Sequence, residues 1–367
     1  MKVKTLVDRF EKFAPKKIAE KNDPVGLQIG SLDADVHKVM VTLDVRPEVV
    51  DEAIEKGVDF IFAHHPVMFR PAKNLDLSDP QNAMYAKIIA NHITVYAAHT
   101  NLDSANGGLN DWLAETLGLE ETTGLVPGVV EQVYLLTVQT PKVYSEAIRM
   151  SLEDAGGKLQ LPDQDGYTFQ WDGTTRLTTA SNSALPQTSS SQNDTRIEFE
   201  VPESNLTAVM MALKDVFPGD NPIYRLVKLE DSRLQYYMGR IGNLPESMTV
   251  LEFANKCKQD FNVAGLRVIA ANLDQKVQRV AVLGGDGGKF FRLAQQQGAD
   301  VYVTGDVYYH TGHDMLAAGL PVVDPGHHIE QIVKPKLTQL FTEWAMQSNW
   351  SIEVIASTIN TDPFTFI

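Results

Sequence analysis

Eight of the nine histidines fall in three short stretches that also carry carboxylates: FAHHP at 62–66, NHITVYAAHTNLD at 91–103, and the run from His310 through DPGHHIE to Glu330. Imidazole nitrogens and carboxylate oxygens gathered in this way are the donor set of a divalent metal site. His64 and His65 are the strongest piece. They end an apolar run, GVDFIFA, that reads as a buried strand, and Gly57 reads as the stop of the helix VVDEAIEK before it. Neighbours on an extended strand point to opposite faces, so two adjacent imidazoles meet at one centre only if the chain turns, as Pro66 favours; otherwise each serves a different ion. An isolated pair of this kind is more often a packed histidine beside a surface one. The other two stretches change that weighting.

In the second, the β-rich run ITVYAA leads into HTNLD, where His99 and Asp103 flank a polar turn before NGG opens the helix LNDWLAETLG. Alone, Asp103 would read as a turn or cap aspartate. At a strand end among histidines it is the natural carboxylate to bridge two cations. In the third stretch a strand, a Pro-Gly turn and a helix bring His327, His328 and Glu330 into one first turn. His327 and Glu330, three apart, share a helix face and can grip one metal. A register in which His328 replaces His327 stays open, and a glutamate in a first helical turn is favourable in any case.

The stretches also echo one another. GVDFIFAHH, from Gly57 to His65, aligns without gaps on GADVYVTGD, from Gly298 to Asp306, each after an amphipathic helix and before another helix and strand. A duplicated strand-helix-strand unit would place His64 and His65 opposite Asp306, and HTNLD opposite DPGHHIE, at the carboxyl ends of the strands, where open α/β sheets carry their sites.

APKKIAEKNDPVGLQIG, FAHHPVMF, AAHTNLD with its trailing GGLND, ADVYVTGDVYYH and DPGHHIE resemble, in that order, the signature blocks of the Nif-three-like proteins, often named GTP cyclohydrolase I type 2-like. The resemblance reaches both ends of the chain. It implies two divalent ions in a cleft, with His64, His65, Asp103, His327 and Glu330 as ligands, and a ring of six subunits. In some shorter relatives the acidic ligand lies four residues after the first histidine of the last block, where this chain has Gln331; a glutamine is a poor bridging ligand, so Glu330 takes the role.

Length and composition fit this picture. The 367 residues suffice for two or three domains, and 43% apolar content is that of an ordinary globular protein. No run approaches a membrane span, and MKVKTLVDRFEKF reads as an amphipathic helix without a signal-peptide core, so the chain is expected in the cytoplasm. The single Cys257 rules out an intramolecular disulfide and a cysteine-rich zinc site, and reads as a core-facing helix residue. A net charge of −15 opposes nucleic-acid binding, and the densest basic cluster, KKIAEK, reads as the solvated face of a helix.

The fold expected is α/β: a duplicated core of two related lobes, residues 1–125 and 235–367, with an inserted ferredoxin-like α+β domain at 126–234. The insert has no histidine and runs EQVYLLTVQTP (strand), KVYSEAIRMSLEDAGG (helix), YTFQW (strand), a Ser/Thr/Asn-rich loop TTRLTTASNSALPQTSSSQND, TRIEFEVPE (strand), SNLTAVMMALKDVFP (helix) and IYRLVKLED (strand). The loop cannot bury apolar surface and should be mobile. Longer members of the resembled family carry a PII/CutA-like module here; the glycine-rich tract of that module is only weakly represented by GYTFQWDGTT, which favours an architectural insert. VLGGDGGKFF at 282–291 fits neither phosphate-loop fingerprint. It is either an anion-holding helix start or a tight turn beside the neighbouring metal loop.

Two cations sharing Asp103 would acidify a bridging water, which is a hydrolase arrangement. Imidazole and carboxylate ligands suit Zn, Fe, Mn or Co without selecting among them. His99, Asp306, His310 and His313 remain for supporting, proton-carrying or substrate-contacting roles, and Tyr308 and Tyr309 for the cleft wall. The reaction expected is hydrolysis of a nucleotide-like or other phosphorylated small molecule; the family name implies opening of the guanine imidazole ring. The alternative is a metal-handling or scaffold protein, with small-molecule sensing through the insert as a third reading. A homo-oligomer is expected, as a toroidal hexamer of three dimers, with FTEWAMQSNW and PIYRLV as candidate apolar contacts or as internal packing.

Overall fold

Val3, Leu6, Val7 and Phe10 recur at helical spacing, and in the computed structural model they are the buried face of α1 (Val3–Phe13). Phe10 meets Phe62, Tyr96 and Phe341 edge-on, at ring separations of 4.7, 6.3 and 6.1 Å. The structure describes residues 1–157, 168–177, 190–217, 219 and 222–367. They divide into two units: Met1–Gly128 with Tyr236–Ile367, and Val129–Gln235.

The first unit continues through β1 (Gly26–Ile29), β2 (Lys38–Thr42), α2 (Pro47–Glu55), β3 (Phe60–Ala63), α3 (Pro80–Ala90), β4 (Thr94–Ala97), α4 (Thr100–Ser104) and α5 (Leu109–Thr116). β5 (Glu120–Pro141) then carries the chain into the second unit, which holds α6 (Ser145–Asp154), β6 (Thr168–Leu177), β7 (Ser190–Pro202) and α7 (Leu206–Val216). β8 (Ile223–Thr249) returns it to the first, followed by α8 (Val250–Asp260), β9 (Arg267–Ile269), β10 (Lys276–Val282), α9 (Phe291–Gln296), β11 (Val301–Val303), α10 (Tyr309–Ala318), β12 (Val322–Asp324), α11 (Val333–Gln347) and β13 (Glu353–Ala356).

β2, β3 and β4 are parallel and β3 and β4 are buried at every position, which is why FIFA and TVYA are continuous apolar runs instead of alternating ones. The order β1-β4-β3-β2 recurs as β9-β12-β11-β10 with the same strand senses. Their starts are tied alike. Asp59 Oδ2 accepts the backbone N–H of His37 and Lys38 at 2.7 and 3.0 Å, and Asp300 Oδ2 accepts those of Gln278 and Arg279 at 2.9 and 2.8 Å. Residues 37–65 thus match 278–306 without a gap, with Val39 opposite Phe60 and Val280 opposite Val301. Gly57 and Gly298 follow the two matching helices at φ +65° and +83°, the left-handed conformation that ends a helix most readily at glycine. The lobes differ outside the match: β13 adds to β2 in parallel, whereas β8 adds to β10 antiparallel.

In the second unit the strand order is β6-β7-β5-β8, with β7 antiparallel to both neighbours. With the element order β-α-β-β-α-β this is a ferredoxin-like arrangement. Leu136, Val138, Ile197 and Phe199 from the strands meet Ile148, Leu152, Val209 and Leu213 from α6 and α7 in one core.

Several expectations are corrected. The Ser/Thr/Asn-rich loop is shorter than its composition suggested: Thr174–Leu177 ends β6 and Ser190–Asp194 begins β7, where cross-strand pairing overrides weak propensity. The expected mobility of 178–189 lies outside the described residues. β5 and β8 run to 22 and 27 residues, far past the strands read from sequence. Gly124 lies in β5, and a Cβ there would lie 1.9 Å from the Tyr237 ring, so the ring occupies the place of a side chain. KKIAEK is a single 3-10 turn at Lys16–Ile18 and no helix face. Within FTEWAMQSNW, Phe341 and Trp344 pack inward and Met346 is exposed, while Ile223, Tyr224, Leu226 and Val227 of PIYRLV are all exposed. Cys257 is buried on α8.

Candidate metal centre

Both histidines of the HH pair prolong the pairing of β3 with the end of β2: His64 N–H donates to the Thr42 carbonyl at 3.1 Å and His65 N–H to that of Leu43 at 2.9 Å. Their rings nevertheless lie 4.9 Å apart, on one side of the strand end. His64 is fully buried. Its Nδ1 sits 2.8 Å from the Ala98 carbonyl, which can only accept, so Nδ1 carries the proton and Nε2 the lone pair. Burial keeps the ring neutral, with its pKa down to about 3.

Asp103 stands on α4, a five-residue helix where a polar turn was expected. Asn110 fixes this helix, donating from Nδ2 to the Asp103 carbonyl at 2.9 Å while its Oδ1 accepts Gly284 N–H at 3.0 Å. One amide side chain thereby ties a first-lobe ligand to a second-lobe loop. Burial, then the Glu330 charge, pushes the Asp103 carboxyl up to about 8.

His327 and Glu330 lie on a 3-10 helix, His327–Ile332, and not on the α-helical turn expected. Side chains three apart eclipse in a 3-10 helix. His327 Nε2 is accordingly 3.2 Å from Glu330 Oε2, and His65 Nε2 approaches the same oxygen at 3.1 Å. Burial works against the Glu330 charge, yet these two imidazoles hold its carboxyl well below the usual range. In return, against the cost of burial, Asp44 and Glu330 raise His65 to about 10, and Glu330 with Asp306 raises His327 to about 9. The glycine-rich loop is a close-passing turn: a Cβ on Gly284 or Gly285 would lie 3.0 Å from Glu330 Oε1.

Three groups of donor atoms, each within 4.8 Å of one another, result: His64, Asp103 and Glu330; His65, His327 and Glu330; and His64, His65 and His99. The carboxylate common to two of them is Glu330. Asp103, expected as the shared ligand, falls in one group and Glu330 in two. His99 joins the cluster. Gln331 and His328 enter no group among the described residues, and His328 Nε2 is buried without a hydrogen-bond partner. Asp306 hydrogen-bonds His327 Nδ1 at 2.7 Å. His310 and His313 are exposed on α10, their rings 5.4 and 4.8 Å from that of Tyr309, and neither enters a donor group. Tyr308, Tyr309 and His313 line a separate groove with Arg267 and Ile269.

Sequence reasoning missed two supporting aspartates. Asp44 meets His65 Nδ1 at 2.7 Å, and Asp23 meets His99 Nδ1 at 3.0 Å. Their only sequence signals were positional: Asp44 follows β2 closely, and Asp23 lies in the NDPVGLQIG block.

The donor set passes a direct test for a cation. His64 Nε2 and Asp103 Oδ1 are buried without hydrogen-bond partners and face each other at 3.5 Å, with Glu330 Oε2 3.7 Å from His64 Nε2. Two of these atoms have no partner, while Glu330 Oε2 is already reached by His65 and His327 Nε2. Buried polar atoms are rarely left so, and a cation held beside Glu330 would satisfy both orphaned atoms.

A two-lobed α/β core with a buried histidine-carboxylate cluster at its strand ends defines a protein class with a candidate metal site. The model of the Duf34/NIF3 (NGG1p interacting factor 3) family matches residues 1–363, and the chain belongs to this family. It is 41% identical over 361 residues to the "GTP cyclohydrolase 1 type 2 homolog" of Listeria innocua, covering 97% of this chain and 96% of that protein. The protein of the same name from Bacillus subtilis is 39% identical over 365 residues, with 99% and 98% covered. A crystal structure of a Bacillus cereus protein related to NIF3 superposes with a TM-score of 0.84 at 38% identity, covering 100% of this chain and 99% of that one. Among the described residues no helix is long and apolar enough to cross a membrane.

Proposed function

We propose that the protein is a dinuclear metal-dependent hydrolase acting on a nucleotide-like or other phosphorylated small molecule. The observation that carries this reading is the convergence of the buried, unpartnered His64 Nε2 and Asp103 Oδ1, 3.5 Å apart, on Glu330, the carboxylate common to two donor groups. His64, Asp103 and Glu330 would hold one divalent ion, and His65, His327 and Glu330 the other. Zn, Fe, Mn and Co all suit such ligands. Bound there, two ions supply Lewis acidity and acidify water to near neutrality.

The chain's own residues do the rest. Asp44 and Asp306 orient the imidazoles of His65 and His327 through Nδ1. His99, oriented through Nδ1 by Asp23, presents Nε2 beside the HH pair and holds or passes a proton at that atom. The substrate class rests on the name borne by the Listeria and Bacillus relatives. The matched lobes are read as an internal duplication. Exposed Ile223, Tyr224, Leu226 and Val227 support assembly into a homo-oligomer, with six subunits as the expected number.

The test is elemental analysis of protein purified without chelators, followed by assay with GTP and phosphomonoesters, reading guanine ring opening by ultraviolet absorbance and phosphate release. Two ions per chain with turnover that Asp103→Asn abolishes is the expected result. Two ions without turnover on any substrate would replace the hydrolase reading by metal handling, and one ion or none would remove the dinuclear site. Light scattering on the same samples reads the assembly; a monomer mass removes it.

A further inference from the structure

The segment that follows β13 is fastened to the protein on both sides of one residue. Before it, Ser357 N–H donates to the Val41 carbonyl at 2.8 Å and the Ser357 hydroxyl to Glu52 at 2.6 Å. Thr358 binds Glu52 through both its N–H and its hydroxyl, at 2.9 and 2.6 Å, and the Ile359 carbonyl accepts Lys334 Nζ at 3.1 Å. After it, the Phe366 ring closes over Gly265, where an added Cβ would lie 2.5 Å from the ring. Between these anchors the Asn360 side chain accepts Asp362 N–H at 3.0 Å, a tight turn with Thr361 at its centre. The Thr361 hydroxyl donates to Asp44 Oδ2, and Asp44 Oδ1 meets His65 Nδ1 at 2.7 Å.

We infer that this segment is part of the metal centre, with Thr361 as a positioning residue that sets His65 through Asp44. The inference rests on the metal-binding reading of the site. A carboxylate held only by the imidazole it serves is free to rotate about its own side-chain bonds. Holding the second oxygen removes that freedom, so Asp44 keeps the His65 ring in the plane that aims Nε2 at Glu330 Oε2, 3.1 Å away. Partners of this outer kind typically change metal affinity about 10–100-fold when removed. His64 takes its orientation from the Ala98 carbonyl instead, with no part in this chain of contacts. Loss of the Thr361 hydroxyl therefore weakens the ion held by His65, His327 and Glu330 and spares the ion held by His64, Asp103 and Glu330.

The experiment is titration of chelator-stripped full-length protein with Co(II), read by visible absorption and by equilibrium dialysis with elemental analysis. Thr361→Val, which keeps the shape and removes the hydroxyl, should weaken one of two Co(II) equivalents about tenfold or more. It should also alter the absorption of that equivalent alone, with far-UV circular dichroism and thermal midpoint kept. Thr361→Ser should restore both affinity and spectrum. If valine is not accommodated, Thr361→Ala carries the same expectation. Titration of the folded variant as wild type overturns the inference, and so does equal weakening of both equivalents that serine fails to rescue. Wild-type protein that binds no Co(II) overturns the metal-centre reading itself, a result distinct from either.

Discussion

The two lobes of the first unit repeat their framework and not their chemistry. Asp59 and Asp300 perform the same task, each tying two backbone N–H groups at the start of the neighbouring strand. At the other end of the matched strands the lobes part. Where the first lobe has His64 and His65, the second has Gly305 and Asp306; where the first has Asp44, the second has Gly285. One lobe is armed at all three positions; the other is bare at two and keeps Asp306, which holds His327. The bareness has a function, since Gly285 leaves room for Glu330 and His327, and a Cβ on Gly305 would lie 2.8 Å from His327 N. A site between two similar lobes needs donors on one and space on the other, so matched positions must diverge in size as well as in chemistry.

The largest test of this division is Glu330→Ala. Because Glu330 is common to two donor groups and Asp103 belongs to one, Glu330→Ala should lose both ions and Asp103→Ala one preferentially, as read by elemental analysis after metal-replete dialysis. The reverse pattern would restore Asp103 as the shared ligand. A smaller effect is expected from Gly285→Asp, which gives the second lobe the counterpart of Asp44. Gly285 has φ +63° and a Cβ there would lie 3.0 Å from Glu330 Oε1 and 3.4 Å from His327 Nε2. The variant should lose about 2–3 kcal/mol in chemical denaturation, from backbone strain and crowding together. An unchanged midpoint would show that the bare loop is dispensable.

The smallest effect belongs to Glu52, whose matched position carries Leu293. Burial opposes its charge, but hydrogen bonds from Lys56, Ser357 and Thr358 lower its pKa from the ordinary 4.5 to about 2. A carboxyl depressed by folding contributes stability above its unfolded value, and that stability is lost as pH falls through about 4.5 towards about 2. Glu52→Gln should cost about 1–2 kcal/mol at neutral pH, after allowance for solvent screening, and remove this part of the acid sensitivity. Parallel denaturation curves of wild type and variant from pH 7 to pH 3 check it; a constant gap would exclude Glu52 as the source.

What the sequence made legible was local. A continuous apolar run, a glycine stop and an HH pair at the strand end need only near neighbours, and β3 with His64 and His65 formed where they were read. The gapless match of GVDFIFAHH with GADVYVTGD was also visible, because strand register follows residue spacing. Illegible were relations carried by the tertiary fold. Asp44 reaches His65 and Thr361 across 21 and 317 residues, and no periodicity announces such a pair. Asp103 was read as the shared ligand from its place at a strand end, and the hold of Asn110 on its backbone was out of sight. The tyrosine whose ring fills the place of a Gly124 side chain, Tyr237, lies more than a hundred residues away.

The second unit interrupts the first in the chain, and this sets a schedule for synthesis. His64, His65 and Asp103 all emerge before that unit, and His327 and Glu330 only after it. About 220 residues separate Asp103 from His327, so at about 5–20 residues per second a ribosome leaves the first three donors without their partners for on the order of 10–45 s. For that interval the nascent chain carries half of the donor set without Glu330. If the cluster holds ions, neither donor group that includes Glu330 is complete until about nine-tenths of the chain has been made.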